Sequence, residues 1–198
     1  KSGIQVFKAD VFDNRDVDMT PQLIKIQKDV KEKNIQAMVL YGPGFVAGVI
    51  AKNMKQLGMT LPVVGNHAMA MQPTLGVGGE AVNGFVFPSG KIIVKDELDD
   101  KDPQKKVIID FANRFKAKYN REPTTFAGHA YDAIHILSNA LRTSGGDRGK
   151  LRDGIEKTRN FIGIDGIFTF SPKDHDGLTK EALIWVLIKN VQFTLLKE

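Results

Sequence analysis

Cysteine is absent from the sequence, which excludes disulfides, thiol catalysis and cysteine-ligated metal sites. No run of about 18 apolar residues occurs either, so none of its segments is expected to span a membrane. The basic excess is small, 28 residues against 23 acidic ones, and no stripe of lysines and aromatics supports nucleic-acid binding. What remains is an ordinary globular composition, 42% hydrophobic and 26% charged over 198 residues, enough for one large domain or two small ones.

Motifs of the common catalytic classes are also missing. There is no Gly-x-Ser-x-Gly elbow and no His-Glu-x-x-His pair, so we do not predict an enzyme. Asp174, His175 and Asp176 adjoin one another in "SPKDHDG", but three successive side chains cannot easily reach one ion. Because Asp-Gly favours a turn, we predict a turn there, with no metal and no cofactor. The acidic run at residues 96–102 is predicted to be solvated, with weak calcium binding as the alternative.

The first half of the sequence alternates strand-like and helix-like segments. Thr20 as N-cap with Pro21 at the first helical position predicts a helix start, and Asn34 a left-handed helix end. We predict strands at residues 3–12, 37–41, 61–65 and 84–88, with a second helix from Val46 to Gly58. Strands and helices that alternate with short turns indicate an α/β fold, in which helices cover a parallel sheet.

The second half changes character after residue 88, where a charged and irregular stretch begins. One helix is predicted to start near Pro103 and another to cover residues 150–158. Between them lies a more apolar helix, for which the inward-facing residues are predicted to be Ala130, Ala133, Ile134, Leu137 and Leu141. Short strands are predicted at residues 167–170, 182–189 and 191–196, the last two joined around Lys189-Asn190.

The stretch "YGPGFVA" at residues 41–47 has the glycine spacing of a dinucleotide-binding loop. That fold needs an acidic residue about 20 positions later to bind the ribose hydroxyls. No Asp or Glu occurs between Gly42 and Glu80, and no Gly-Lys-Ser/Thr ending supports a P-loop. A nucleotide-dependent α/β enzyme is therefore disfavoured, but it stays the alternative from another functional class.

Two consecutive predicted strands end in similar loops, "YGPGF" and "VGNHA". The carboxyl ends of parallel strands, followed by helix N-termini with unpaired N–H groups, are where such sheets bind small anions and zwitterions. We therefore expect the two loops to lie side by side around a small ligand. The alternative is that Gly42 and Gly44 only allow the helix to pack close to the sheet.

Four stretches together resemble one family of proteins. They are "DVDMTPQLIKIQKDVKEKNIQAMVLYG" (16–42), "KNMKQLGMTLPVVG" (52–65), "AYDAIHILSNALRTSGG" (130–146) and "KLRDGIEKTRNFIGIDGIFTFSPKDHDG" (150–177). In this order and spacing they resemble the type I periplasmic solute-binding proteins of the leucine/isoleucine/valine-binding group. The resemblance implies incomplete Rossmann-like α/β lobes with a parallel sheet, and a ligand held between the lobes.

The resemblance also implies how the chain is divided. Residues 1–88 would be most of the second lobe, residues 89–181 the carboxyl-terminal part of the first lobe, and residues 182–198 a return to the second lobe. Because the chain opens with Lys1 and shows no signal peptide, we expect an internal fragment or processed piece of a longer protein. We expect self-association through the truncated lobe, where a sheet edge or apolar face lacks its partner.

Position by position, the resemblance assigns ligand contacts to the two strand-end loops. They are Tyr41, Gly44, Phe45, Asn66 and His67. Phe45 would pack on an apolar part of the ligand, and N–H groups near Gly44 would hold a carboxylate. Where the branched-chain binders have an acid that pairs with the ligand ammonium, this sequence has His67, a weaker acceptor; the alternative for His67 is an exposed loop residue. This departure favours an aromatic or aliphatic carboxylic acid, or an amide, without an α-ammonium.

The function implied is that of the substrate-binding component of an ABC importer. It would bind a small amino acid or organic acid between two lobes and present it to a membrane permease, without catalysis. The expected location is periplasmic or extracellular, free or membrane-anchored. The alternative is a ligand-sensing receptor or regulator domain of the same fold.

Overall fold

The computed structural model describes residues 3–7 and 10–197. Its contacts group the chain into two compact units, the first ending at Phe85 and the second beginning at Val86. Helices alternate with strands in the first unit, and the second contains an antiparallel sheet and three α-helices. The predicted α/β class is confirmed.

The first unit contains two parallel strands and three α-helices. Its elements are α1 (Thr20–Lys33), β1 (Met38–Leu40), α2 (Gly44–Gln56), β2 (Val63–Gly65) and α3 (Gln72–Gly78), with 3₁₀ turns at His67–Met69 and Gly79–Val82. Strands β1 and β2 pair in parallel from Met38↔Val63 to Leu40↔Gly65. Helix α2 packs closely on α3, and the absence of a side chain at Gly48 allows this. A Cβ added there would lie 2.7 Å from the backbone nitrogen of Gly78.

The start of α1 differs slightly from the prediction. Thr20 is the first helical residue and not the cap, and its N–H donates to Asp18 Oδ1 at 2.9 Å. Pro21 lies in the first turn and Asn34 ends the helix in the left-handed region, as predicted. The N–H of Met19 donates to the buried Asn53 Oδ1 at 2.8 Å, which ties the entry of α1 to α2.

The strand predicted at residues 3–12 is wrong. Residues 3–7 and 10–12 are not in a strand, and residues 8 and 9 lie outside the described part of the chain. Ile4, Val6 and Val11 are exposed. The alternation of apolar residues is real, but among the described residues no neighbouring strand pairs with this segment or covers its apolar side chains.

The second unit is built from strands at both of its ends with helices between them. Its elements are β3 (Val86–Ser89), α4 (Lys105–Tyr119), α5 (Thr125–Ser144), α6 (Arg148–Glu156), β4 (Phe161–Ile162), β5 (Ile167–Phe168), β6 (Ile184–Lys189) and β7 (Gln192–Leu195), with 3₁₀ turns at Lys91–Glu97 and Lys180–Ala182. Strand β6 pairs antiparallel with both β3 and β7. Phe87, Val186 and Ile188 are fully buried in this sheet.

The predicted inward face of α5 is wrong. Ile134 is 63% exposed, and Ala130, Ala133, Leu137 and Leu141 are exposed as well. The helix instead buries the stripe at positions 128, 132, 136 and 140, which lies on a different side of the helix. Two stripes of α5 have helical spacing, and the buried one is less apolar because it contains Gly128 and Asp132. The more apolar stripe of α5 is therefore the exposed one, and apolar content predicts the wrong buried side.

The acidic segment 96–102 is only partly solvated. Asp102 is mostly buried and its Oδ2 lies 2.7 Å from Lys91 Nζ, which is also mostly buried. Asp100 is exposed and pairs with Lys105 at 2.6 Å. The prediction of a solvated run is therefore wrong for Asp102, because a lysine outside the run reaches it.

Candidate functional site

The first strand-end loop leads directly into α2. Strand β1 ends at Leu40, and α2 begins at Gly44 after Pro43, whose extended backbone (φ −68°, ψ 152°) turns the chain. The carbonyl of Pro43 accepts the N–H groups of Val46 and Ala47. Helix geometry leaves the N–H groups of the residues before them without an intrahelical acceptor, and no side chain caps this end. The loop therefore presents backbone donors and the positive end of the helix dipole.

The second strand-end loop adjoins the first. Because Leu40 and Gly65 are paired in register, the residues that follow them, Tyr41 and Asn66, leave the same edge of the sheet. The loop continues as the 3₁₀ turn His67–Met69. Gly44 packs directly on this turn, since an added Cβ would lie 2.8 Å from the carbonyl oxygen of Ala68. The structure thus brings the two loops together, as expected for loops at the carboxyl ends of neighbouring parallel strands.

The predicted ligand residues differ in exposure. Tyr41 is 82% exposed and Phe45 41% exposed, so both aromatic rings can reach a solute. Gly44 is buried and has no side chain, so a contact from this residue would involve its backbone. Asn66 and His67 are half-buried. Neither Phe45 nor His67 is enclosed in the core.

Asn66 contributes a buried acceptor. Its Oδ1 atom is inaccessible to solvent and receives no hydrogen bond from the part of the chain that the structure describes. A buried acceptor without a donor costs free energy, typically about 1–3 kcal/mol, and such atoms are common where a ligand or water completes the site. A ligand N–H or O–H would satisfy it.

The two loops supply no carboxylate. Residues 41–79 contain neither Asp nor Glu. Their acceptors are therefore neutral, such as the Asn66 amide and the Tyr41 hydroxyl, whereas the N-terminus of α2 favours negative charge. The arrangement suits a ligand carboxylate better than a ligand ammonium.

Thr74 supports this site and was not predicted. Its hydroxyl donates to the carbonyl of Met69 at 2.8 Å, and its side chain is fully buried. An atom added to Gly44 would collide with Thr74 Oγ1, so this threonine sets how closely α2 approaches the second loop. It lies on α3, a helix missed at the sequence level, although Pro73 in a first helical turn is a signal that indicates one.

The other candidate sites have structural explanations. In the segment 171–177, Ser171 and Asp174 exchange backbone hydrogen bonds, and Asp174 Oδ1 accepts the N–H groups of Asp176 and Gly177. The predicted turn is confirmed. Within the described residues, no group of three or more His, Asp or Glu side chains could hold a metal ion.

None of the helices in residues 3–7 and 10–197 is long and apolar enough to cross a membrane.

Comparison with known proteins gives one family and a set of similar folds. The family model described as "Periplasmic binding protein" matches residues 1–185. An extracellular ligand-binding receptor from Rhodopseudomonas palustris HaA2 superposes with a TM-score of 0.88 at 22% identity, covering 98% of this chain and 55% of that one. At this identity the likeness concerns the fold.

Two further solved structures carry more specific descriptions. The leucine binding protein LivK from Thermotoga maritima MSB8 has a TM-score of 0.74 and 25% identity, covering 94% of this chain and 49% of that one. The branched-chain amino acid transporter substrate binding protein LivJ from Streptococcus pneumoniae, in complex with isoleucine, has a TM-score of 0.71 and 26% identity, covering 92% and 48%. The chain therefore spans about half the length of the structures it matches. No curated protein matches its sequence.

Proposed function

The chain belongs to the periplasmic binding protein family, and we propose that it is part of an extracytoplasmic binding protein that delivers a small organic solute to an ABC importer. Its partners would be the solute and a membrane permease. The family consists of binding proteins and not of enzymes. The neighbours described as a leucine binding protein and a branched-chain amino acid transporter component support the transport role.

One observation supports the ligand site most directly: the contact between Gly44 and the carbonyl of Ala68. It holds the N-terminus of α2 beside residues 66–69 at the carboxyl edge of two parallel strands. Backbone donors and two exposed aromatic rings are then available from adjoining loops. A small solute can contact both, and it would reach the unsatisfied Asn66 Oδ1, which is closed to solvent, once that side chain turns outward.

The ligand that fits these groups is a small carboxylic acid, aromatic or aliphatic, or its amide. The carboxylate would accept N–H groups at the start of α2, and Phe45 and Tyr41 would contact the apolar part. Asn66 Oδ1 would accept a donor from the ligand, with His67 next to it. An α-amino acid is less suitable, because residues 41–79 offer its ammonium no carboxylate.

A thermal-shift screen of the full-length protein against amino acids, their amides, and aliphatic and aromatic carboxylic acids tests this proposal. We expect acids or amides to raise the melting temperature more than the matching α-amino acids do. The affinity of the best solute is then measured by calorimetry. A protein that responds only to α-amino acids would contradict the proposed ligand class but not the binding function.

Phe45→Ala tests the site itself. Removing an aromatic ring from a ligand contact is expected to weaken binding roughly tenfold or more, since burying such a side chain is worth about 1.5–3 kcal/mol. Phe126→Ala is the matched control, because Phe126 is a similarly exposed phenylalanine on α5. An unchanged affinity for Phe45→Ala would remove this residue from the ligand site.

The division of the chain into lobes also stays a proposal. Residues 1–88 and 182–198 would belong to one lobe, and residues 89–181 to the other. The antiparallel pairing of β3 with β6, which places Phe87 opposite Val186, supports the return of the last segment to the strand at residues 86–89. Limited proteolysis of the full-length protein, with the stable fragments identified by mass, would test these boundaries.

A further inference from the structure

Three ionisable side chains meet in the second unit, where α5 contacts residues 163–166. The two oxygens of Asp132 accept the backbone N–H groups of Ile164 and Asp165, at 2.8 Å and 2.9 Å. The Oδ2 atom of Asp165 lies 2.9 Å from Nδ1 of His129, one helical turn before Asp132. The cluster therefore joins α5 to the 163–166 segment through both carboxylates.

Both carboxylates are withdrawn from water. Asp132 is 1% exposed and Asp165 is 4% exposed. Glycines pack directly on them: a Cβ added to Gly163 would lie 2.6 Å from Asp132, and one added to Gly128 would lie 2.7 Å from Asp165. The Oδ1 atom of Asp165 faces Gly90 and receives no hydrogen bond from the described residues. Close packing of this kind leaves both carboxylates out of contact with water.

Within residues 3–7 and 10–197, the neighbouring elements bring no further cation to the cluster. Arg114 of α4 is engaged with the hydroxyl of Tyr131, and Lys91, next to Gly90, pairs with Asp102. Gln104 also contacts this segment, but its side-chain amide is uncharged. It donates to the carbonyls of Gly163 and Ile164. The segment packed on Gly166 contributes the apolar side chains of Leu178 and Ala182. Also on α5, the ring of His135 packs against that of Tyr131 at an interplanar angle of 43°.

Among the described residues around the cluster, this leaves His129 as the one cation that can balance the two buried carboxylates. When its imidazole is neutral, the cluster carries two buried negative charges. When the imidazole and one carboxyl are protonated, the cluster is an ion pair beside a neutral acid, and its net charge is zero. Burying the second arrangement costs much less free energy than burying the first.

We propose that His129, Asp132 and Asp165 form a proton-binding cluster that takes up protons in mildly acidic solution and thereby stabilises the junction between α5 and residues 163–166. One proton resides on His129, hydrogen-bonded to Asp165, and one on the carboxyl of Asp132. The two protonation steps belong to the cluster as a whole, because His129 contacts Asp165 and the charges of both act on Asp132.

The pKa values support the direction of the effect. Burial raises the pKa of Asp132 from 3.8 to about 6, against the hydrogen bonds from Asp165 and Ile164 that lower it. The hydrogen bond to Asp165 raises the pKa of His129 above 6.5. A group whose pKa is raised by folding stabilises the protein below its unfolded pKa and loses that contribution as the pH rises through the folded value. Stability is therefore expected to fall between pH 5 and pH 8 through both groups.

The test is urea unfolding of the full chain at pH 5, 6, 7 and 8. It is followed by the fluorescence of Trp185, the single tryptophan, which lies on β6 in the second unit. From the raised pKa of Asp132 alone, we expect the unfolding equilibrium constant to rise roughly tenfold between pH 5 and pH 8. Asp132→Asn should remove this part of the rise, and His129→Gln should remove the part above pH 6.5. His135→Gln, on the same helix, should leave the dependence of the unfolding equilibrium constant on pH as it is in the unchanged protein.

A second measurement keeps the proposal testable if Asp132→Asn fails to fold. Proton NMR of the imidazole rings gives the pKa of each histidine, with His129 assigned from the spectrum of His129→Gln. We expect His129 to titrate above 6.5 in the unchanged protein, and lower in Asp165→Asn. A His129 that titrates at 6.5 or below would overturn the proposal. The same holds if Asp132→Asn leaves the pH dependence of the unfolding equilibrium constant unaltered.

Discussion

At the scale of single residues, Gly44 sets the distance between the two candidate ligand loops. Its backbone lies against Thr74 and the carbonyl of Ala68, and neither can move without displacing a packed element. The sequence indicates a glycine-rich turn, but only these contacts explain why position 44 cannot carry a side chain. The first glycine of the motif, Gly42, packs instead on the ring of Phe12.

Gly44→Ala is expected to destabilise the protein by about 1–3 kcal/mol, because the added methyl group overpacks a closed contact. Gly76→Ala is the matched control in the same unit. A Cβ at Gly76 meets no atom within 4 Å, so this change within α3 should stabilise by about 0.5–1 kcal/mol. Urea midpoints measured by circular dichroism would separate the two. Equal midpoints for both variants would mean that Gly44 does not limit the approach of the loops.

At the scale of elements, the β6–β7 hairpin contains a strained residue. Asn190 and Val191 link the two strands with φ values of 52° and 57°, both in the left-handed region. A two-residue turn with two positive φ values matches the twist of a hairpin, and Asn suits its first position. A β-branched residue does not suit the second, because its Cβ crowds the following carbonyl. The hairpin thus keeps Val191 at a cost in stability.

Val191→Gly is expected to stabilise the protein by about 0.5–1 kcal/mol, the relief of left-handed strain less the added entropy of the unfolded chain. Gln192→Gly, at the neighbouring position within β7, should destabilise it by a similar amount. Both changes introduce glycine, so their opposite signs would isolate the effect of the backbone conformation. Thermal melts at one pH suffice. A lower melting temperature for Val191→Gly would show that side-chain contacts of Val191 outweigh the strain.

At the scale of the whole molecule, both units expose apolar side chains. In the first unit, Val39 on β1 and the adjoining Tyr41 are exposed. In the second, Phe126, Ile134, Leu137 and Leu141 are exposed along α5. An uncovered apolar stripe on a 20-residue helix is unusual for an isolated soluble chain and favours association.

We expect the 198-residue chain to self-associate at high concentration, as proposed from the resemblance to longer proteins. Ile134→Glu should reduce the apparent mass in light scattering, because it places a charge in the α5 stripe. Leu183→Glu, at an exposed leucine outside this helix, is the control and should leave the mass unchanged. A clean monomer at high concentration for the unchanged chain would contradict self-association.

The sequence by itself determined the type of most elements and the α/β class. Periodicity, turn chemistry and helix-end residues are local properties, so Thr20–Lys33, the turn at 171–177 and the hairpin after Lys189 follow from residues close in sequence. The same local signals indicate two glycine-containing loops after consecutive strands. They also exclude the dinucleotide fingerprint, since that pattern requires an acid that the chain lacks.

Only the tertiary structure decided which faces are buried and which side chains meet. The buried stripe of α5 follows from its contact with residues 163–166, where Asp132 accepts two backbone N–H groups. Residues 3–7 and 10–12 have the alternation of a strand, yet a strand requires a neighbour to pair with. The approach of Gly44 to Ala68 and the pairing of His129 with Asp165 likewise join residues distant in sequence. These contacts depend on packing across the fold, which no local pattern encodes.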